Sequence, residues 1–211
     1  MKKLLPFVFN QRTYQAELDA FETLLESTSE LSEKSQVLPF FRQHEQVSLR
    51  IGLLSSAMNT ADVQAFEYDL FGDFAADLVV GDSRAGAYTF VEFEDARRNS
   101  VFAPRPGRFK SAFGTRFEHG YSQIVDWFYK LDSLQGTREM EERFGQREIY
   151  YEGILVIGRD EFLNPTEQSR LKWRKERIVV NSKHILCYTF DQLLDILRRK
   201  EEGSQGIVLN E

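Results

Sequence analysis

The chain has 211 residues, 42% of them hydrophobic, with eighteen Phe, eight Tyr and two Trp, enough apolar side chain for one sizeable globular domain. Its formal net charge of −6 argues against a protein that coats nucleic acid over its whole surface. A single cysteine, Cys187, excludes an internal disulfide and, with only three scattered His, argues against a Cys/His zinc site; a reducing cytoplasm is the expected setting.

The opening MKKLLPFVFNQR stops being apolar at Phe9 and offers no small-residue cleavage site, so it does not read as a signal peptide. No apolar run approaches the ~18 residues of a membrane span. Tyr14, Leu18, Phe21 and Leu25 recur at helical spacing and predict an amphipathic helix over about 13–27. A second helix is expected from Glu33 through Val37, Phe40 and Phe41, with 49–58 extending the helical layer. Strands follow at 63–70, 74–81 and 87–94, then a long basic loop over 95–116 that holds Pro104, Pro106, Gly107 and Gly114. Tyr121, Ile124, Val125, Phe128 and Leu131 mark a helix over 117–133, and a polar linker leads to a strand at 149–157. Asn164-Pro165 opens a helix over 166–177. A short strand at 185–188 and a helix over 191–200, capped by Asp191, close the pattern. The expected organisation is an N-terminal helical segment (1–58) packing on a core (59–203), with a tail at 204–211. Helices, three strands, then alternating helix and strand fit an α/β or α+β sandwich with a mixed central sheet.

The chemistry concentrates in DFAADLVVGDSRAGAYTFVEFEDARR. Asp77 interrupts an apolar strand. On the next strand Thr89, Val91 and Phe93 share one face, while Phe90, Glu92 and Glu94 share the other. If Asp77 faces the same way, three carboxylates converge, and their repulsion is costly unless a cation or a shared proton sits among them. Carboxylate oxygens are what hard divalent ions such as Mg²⁺ prefer, and such an ion can activate water over a phosphodiester.

Two basic patches lie on this acidic chain. Residues 95–116 carry Arg97, Arg98, Arg105, Arg108, Lys110 and Arg116 against Asp95 alone. Residues 170–177 carry Arg170, Lys172, Arg174, Lys175 and Arg177 against Glu176, with Trp173 interleaved. Phosphate-backbone contact and ordinary solvated faces are the two readings of such runs. Trp173 reads as a packed anchor, His119 as a cap or structural group at a helix start, and Cys187 as an inert strand residue.

Element order and motifs together resemble the PD-(D/E)XK nuclease superfamily, and within it the Shedu family of bacterial anti-phage nuclease domains. The pieces that carry the resemblance are EKSQVLPFFRQHEQVSLRIG, DFAADLVV, FVEFEDA, HGYSQIVDWFYKL, YYEGILVIGRDE and YTFDQLLDIL, in that order. The resemblance implies a restriction-endonuclease-like core whose mixed sheet is flanked by helices. It implies Asp77 and Glu92 as ligands of Mg²⁺ or Mn²⁺, Gln123 as a supporting residue of the active site, and Glu33 as a helix glutamate reaching the metal through water. Glu94 stands where the family pattern has a lysine, so it would complete the metal site or act as base, with Arg97, Arg98 or Lys110 supplying the missing positive charge. The implied activity is metal-dependent hydrolysis of double-stranded DNA in phage defence, by a homo-oligomer. Arg97, Arg98, Arg105, Arg108 and Lys110 would grip the backbone. The alternative is a nuclease-fold module without chemistry that binds nucleic acid or a partner protein.

Overall fold

The computed structural model describes residues 3–56 and 58–208, with side chains through Glu201. A seven-stranded mixed sheet forms its centre. Strand β1 (Leu5–Pro6) edges β2 (Val63–Leu70), followed by β3 (Phe74–Asp82) and β4 (Ala87–Phe93), all antiparallel. Beyond β4 the sheet turns parallel through β7 (Tyr150–Val156) and β9 (Lys183–Tyr188), and a two-residue β8 (Val179–Val180) closes the far edge. A separate hairpin, β5 (Phe102–Ala103) and β6 (Ala112–Phe113), lies off the sheet.

Helices cover both faces. On one face pack α1 (Gln11–Ser27), α2 (Leu38–Gln43), α3 (Glu45–Gly52) and α7 (Phe190–Val208), against Leu78, Val80, Val91, Phe93, Ile154 and Val156. On the other pack α4 (Thr115–Leu134), α5 (Arg138–Phe144) and Leu171 of α6 (Pro165–Arg177), against Val79, Tyr88, Phe90, Tyr151 and Leu155. The local signals account for the elements. Asn10 caps α1 through the Thr13 amide, and the stripe Tyr14, Leu18, Phe21, Leu25 is buried as its spacing requires. Asn164 and Glu167 form a reciprocal capping box at α6, with Pro165 in its first turn. Asp82 accepts the Arg84 and Ala85 amides, and Gly86 takes a positive φ of 66°, which fixes the turn between β3 and β4.

The mixed sheet flanked by helices is the architecture the element order predicts. Several boundaries differ. The helix expected to continue to residue 58 ends at Gly52, whose Cα rests against Val80 so closely that a Cβ there would lie 2.3 Å from the Val80 Cβ. Of the expected 49–58 helix, Ala57 lies outside the described residues. The expected polar linker contains α5, whose Met140 and Phe144 are buried. The supposed loop at 95–116 is tied to Leu31 by a bridge at Ala96 and contains the β5–β6 hairpin. Helix α7 carries the backbone through Val208, so part of the expected tail is helical, and residues 209–211 lie outside the described residues.

Close approach of α4 to the sheet depends on missing side chains. A Cβ at Gly153 of β7 would lie 2.4 Å from Ile124 Cγ2, and one at Gly120 of α4 would lie 2.7 Å from Leu155 Cδ1. At Gly153 the contact is with the branched Ile124 side chain, which has little freedom to turn away inside a packed core. Gly153→Ala is therefore expected to lower unfolding free energy by about 1–3 kcal/mol, from overpacking alone. Urea denaturation followed by tryptophan fluorescence measures it; a neutral or stabilising substitution would contradict this packing.

Candidate metal and active site

The antiparallel ladder between β3 and β4 runs from Asp82↔Ala87 to Leu78↔Val91 and stops. The next residues in the same register are Asp77 and Glu92. Here the strands part, and the Asp77 carboxylate accepts the Phe93 amide at 2.9 Å in place of a backbone carbonyl. On its other side β2 is irregular. Phe66 and Tyr68 pair with Leu78 and Ala76, while Glu67 between them has a φ of 48°, outside the usual range for a side-chain-bearing residue. Strand irregularity of this kind re-aims side chains, and it sits directly beside Asp77.

Glu92 remains in register with Leu155 of β7 and is buried; Glu94 is only 1% exposed. Asp77 and Glu92 share the face covered by α4, and the Asp77 carboxylate lies near enough to raise the pKa of Glu92. Burial, opposed in part by the Phe93 amide, pushes Asp77 up to about 7, with Glu33 and Glu94 adding repulsion. Burial pushes Glu92 further, to about 10, with repulsion from Asp77, Glu94 and Glu33 adding to it. Both carboxyls are therefore biased towards their protonated forms near neutral pH, and neighbouring acids of this kind titrate together.

Glu94 is treated differently by its surroundings. Its Oε1 lies 2.8 Å from His119 Nδ1 and its Oε2 lies 3.2 Å from Arg116 Nη1. Burial raises its pKa, and the His119 hydrogen bond and Arg116 oppose the rise. Arg116 also bonds Glu33 at 3.1 Å and lies 3.6 Å from Asp95, which in turn accepts the Glu33 amide at 2.8 Å. Glu33 opens a π-helical turn, Glu33–Val37, just before α2. Among the described residues no ion pair reaches Asp77 or Glu92.

Helix α4 brings Arg116, His119 and Gln123 to the sheet on successive turns. Gly120 lets the helix approach until a Cβ there would lie 3.1 Å from Glu94 Cγ. Gln123 Oε1 is buried and finds no hydrogen-bond partner among the described residues, a state that ordinarily costs free energy. Ligand atoms of Glu92, Glu94 and His119 all lie within 4.8 Å of one another. An orphaned carbonyl oxygen, a desolvated carboxyl pair and a carboxylate–imidazole pair form a donor set suited to an oxygen-loving divalent cation.

The structure thus brings together Asp77, Glu92 and Glu94, with Glu33 joined to them through Arg116. The positive charge at Glu94 comes from Arg116. Of the three residues expected to supply it, Arg97 lies 3.9 Å from Asp95, Arg98 stacks over Phe162, and Lys110 lies in the β5–β6 loop. His119, expected to be a cap or a structural group, is bonded to Glu94. The signal that finds both residues is the spacing Arg116, His119, Gln123 on one helical face. It becomes visible only if the helix starts at residue 115 rather than 117.

The second basic patch is largely structural. Arg170 stacks on Phe102 and Phe113. Arg174 stacks on Phe113, Phe117 and Tyr121 while pairing with both oxygens of Glu118. Trp173, expected as a packed anchor, is 59% exposed, because the inner face of α6 belongs to Leu171 and these two arginines. Cys187 is buried in β9, and burial pushes its thiol up to about 12, as an inert strand residue requires.

A family model described as Shedu protein SduA, C-terminal, matches residues 30–194, a span that holds every residue of the cluster. No curated protein matches the chain.

The carboxyl pair has a consequence for stability. Its folded-state pKa values are raised above the ordinary carboxylate range, so between those limits the folded protein binds more protons than the unfolded chain. The contribution is complete below about pH 4 and is lost as pH rises, through about 7 for Asp77 and on through about 10 for Glu92. The metal-free protein is therefore expected to melt at lower temperature at about pH 8 than at about pH 6. Glu92→Gln should flatten that slope and, at about pH 8, stabilise by on the order of 2 kcal/mol, or roughly 4–8 °C. Scanning calorimetry in chelator is the measurement; a destabilised Glu92→Gln with an unchanged slope would count against a protonated carboxyl pair.

Proposed function

The chain belongs to the family of Shedu SduA C-terminal domains, and from that premise we propose that it is a divalent-metal-dependent endonuclease that hydrolyses double-stranded DNA in anti-phage defence. The observation that carries the reading is the placing of Asp77 and Glu92 on one face at the point where β3 and β4 part. A buried Glu92 and a half-buried Asp77 are held there by backbone register and by the Phe93 amide, without a cationic side chain paired to either among the described residues. A fold keeps such a costly arrangement where something else neutralises it.

In this reading Asp77 and Glu92 hold Mg²⁺ or Mn²⁺, with Glu94 completing the set and Gln123 Oε1 offering a neutral oxygen at its margin. When bound, the cation supplies Lewis-acid polarisation of a phosphoryl oxygen and lowers the pKa of water to a useful range. Glu94 takes the proton of the attacking water. Burial raises its pKa towards the range where a carboxylate accepts a proton readily, and His119 Nδ1, 2.8 Å away, holds the carboxylate in place for the transfer. Arg116, 3.2 Å from Glu94, brings to the site the positive charge that the family pattern assigns to a lysine. Held by Glu33, Glu94 and Asp95, its guanidinium is oriented before substrate arrives, which favours stabilisation of a charge that develops only in the transition state. Six cations between residues 97 and 116, with no acid among them, give the surface that follows Glu94 the sign a phosphate backbone requires.

The test is conversion of supercoiled plasmid to nicked and linear forms in Mn²⁺ or Mg²⁺. Glu92→Ala is expected to lose activity entirely. Arg116→Ala should lose roughly 100- to 1,000-fold, the usual effect of removing one transition-state donor, and Arg116→Lys should recover part of it. Equal nicking by wild type and Glu92→Ala would remove the assignment. Binding of DNA with no cleavage in any metal would favour the non-catalytic module instead.

A further inference from the structure

The β5–β6 hairpin ends in a loop whose most exposed large side chain is aromatic. Phe109 is 111% exposed relative to an extended reference, while other aromatic residues of the hairpin region are packed. Phe102 and Phe113 meet at 4.5 Å in a tilted pair, Phe113 stacks on Phe117 at 4.6 Å, and Arg170 lies over both hairpin rings. The base of the hairpin is therefore clamped between α4 and α6. Its tip is a defined turn. Arg105 to Arg108 closes through the Arg108 amide on the Arg105 carbonyl at 3.2 Å, with Pro106 and a positive-φ Gly107 in the two central places. Phe109 follows directly, flanked by Arg108 and Lys110. The loop's return is fixed as well: Arg170 Nη1 bonds the Ser111 carbonyl at 2.9 Å, and the Ser111 hydroxyl bonds Glu167. The Glu167 carboxylate, the acid beside the loop, also holds the Asn164 amide, so it is engaged in capping α6.

A fully exposed phenylalanine costs solvation free energy and contributes nothing to this core. Its neighbours Arg105, Arg108 and Lys110 repel one another and make the tip a poor seat for another basic surface and a good one for phosphates. We propose that the tip is a stacking wedge: Phe109 inserts against a base while Arg105, Arg108 and Lys110 contact the flanking phosphates. This rests on the reading of the protein as a DNA nuclease and adds its substrate preference. Inserting an aromatic ring requires unstacking a base step, which costs a few kcal/mol in intact duplex and least where a mismatch has already loosened the stack. The protein should accordingly prefer duplex DNA carrying a local defect over the fully paired duplex. The wedge lies close to the chemistry in sequence, since Gly114 ends the hairpin and Arg116 opens the first turn of α4.

The experiment compares binding of a short labelled duplex with a central mismatch and its fully paired counterpart, in chelator so that no cleavage intervenes. Wild type is expected to bind the mismatched duplex more tightly. Phe109→Ala should lose between about five-fold and about a hundred-fold in affinity for it and lose the discrimination, in keeping with the usual strength of base–aromatic stacking. Arg108→Ala should weaken both duplexes alike and reduce the salt slope by about one. Phe109→Trp should be quenched by DNA, as a ring stacked on a base is. Unchanged binding and discrimination by Phe109→Ala would overturn the wedge. So would an unquenched Phe109→Trp that binds normally, or a Phe109→Ala that alters only the oligomeric state in sedimentation. Discrimination by a wild type that nicks no DNA would support the wedge while removing the nuclease, so the two readings fail separately.

Discussion

One carboxylate accepting one backbone amide organises this molecule's chemistry. Where Asp77 takes the Phe93 N–H, a sheet ladder that could have continued is cut short. The cut leaves Asp77 and Glu92 facing each other in a desolvated place, where neither can ionise freely beside the other. Such an arrangement does not stabilise the fold. It persists because the strands on either side are pinned elsewhere, Asp77 by a ladder from Leu78 to Asp82 and Glu92 by continuous parallel pairing with β7. The sheet holds the destabilising pair in place, and the pair makes the site.

The rest of the architecture follows from the need to bring other groups to that point. Gly120 and Gly153 let α4 lie close enough for Arg116 and His119 to reach Glu94, and the Gln123 side-chain oxygen of the same helix is buried. The π-helical turn at Glu33–Val37 adds an acid from the opposite helical layer, and Asp95 links that turn to the end of β4 through the Glu33 amide. Phe41 stacks on Phe93 at 4.4 Å, so the N-terminal helices share a core with the strand that carries the acids. The helical segment and the sheet are joined by both apolar packing and a polar network at the site itself. Among the described residues no helix is long and apolar enough to cross a membrane.

Much of this was legible in the residues, and what was not has identifiable causes. Period-two alternation placed Glu92 and Glu94 on one face of the strand expected at 87–94, and β4 itself ends at Phe93, one residue short of Glu94. The apolar frame around Asp77 marked it as an anomaly. Helical spacing from Tyr121 to Leu131 marked α4, but not its first residues, since Thr115 and Arg116 carry no apolar signal; that hid Arg116 as the partner of Glu94. The hairpin at Phe102–Phe113 was invisible because its strands are two residues long and are held by Arg170 and Arg174 from a distant helix. The same pairing misled the reading of α6: a run of cations suggests a solvated or phosphate-binding face, yet two of them act as flat apolar-tolerant plates on aromatic rings, which turns Trp173 outward.

The account stands on a carboxyl pair that is protonated when metal-free and gives up its protons to a cation. Calorimetric titration of Mn²⁺ into the protein at about pH 7, repeated in buffers of different ionisation enthalpy, counts those protons directly. The expected result is saturable binding with release of about one to two protons, both lost in Asp77→Asn. Binding without proton release, or binding that survives Asp77→Asn unchanged, would contradict it.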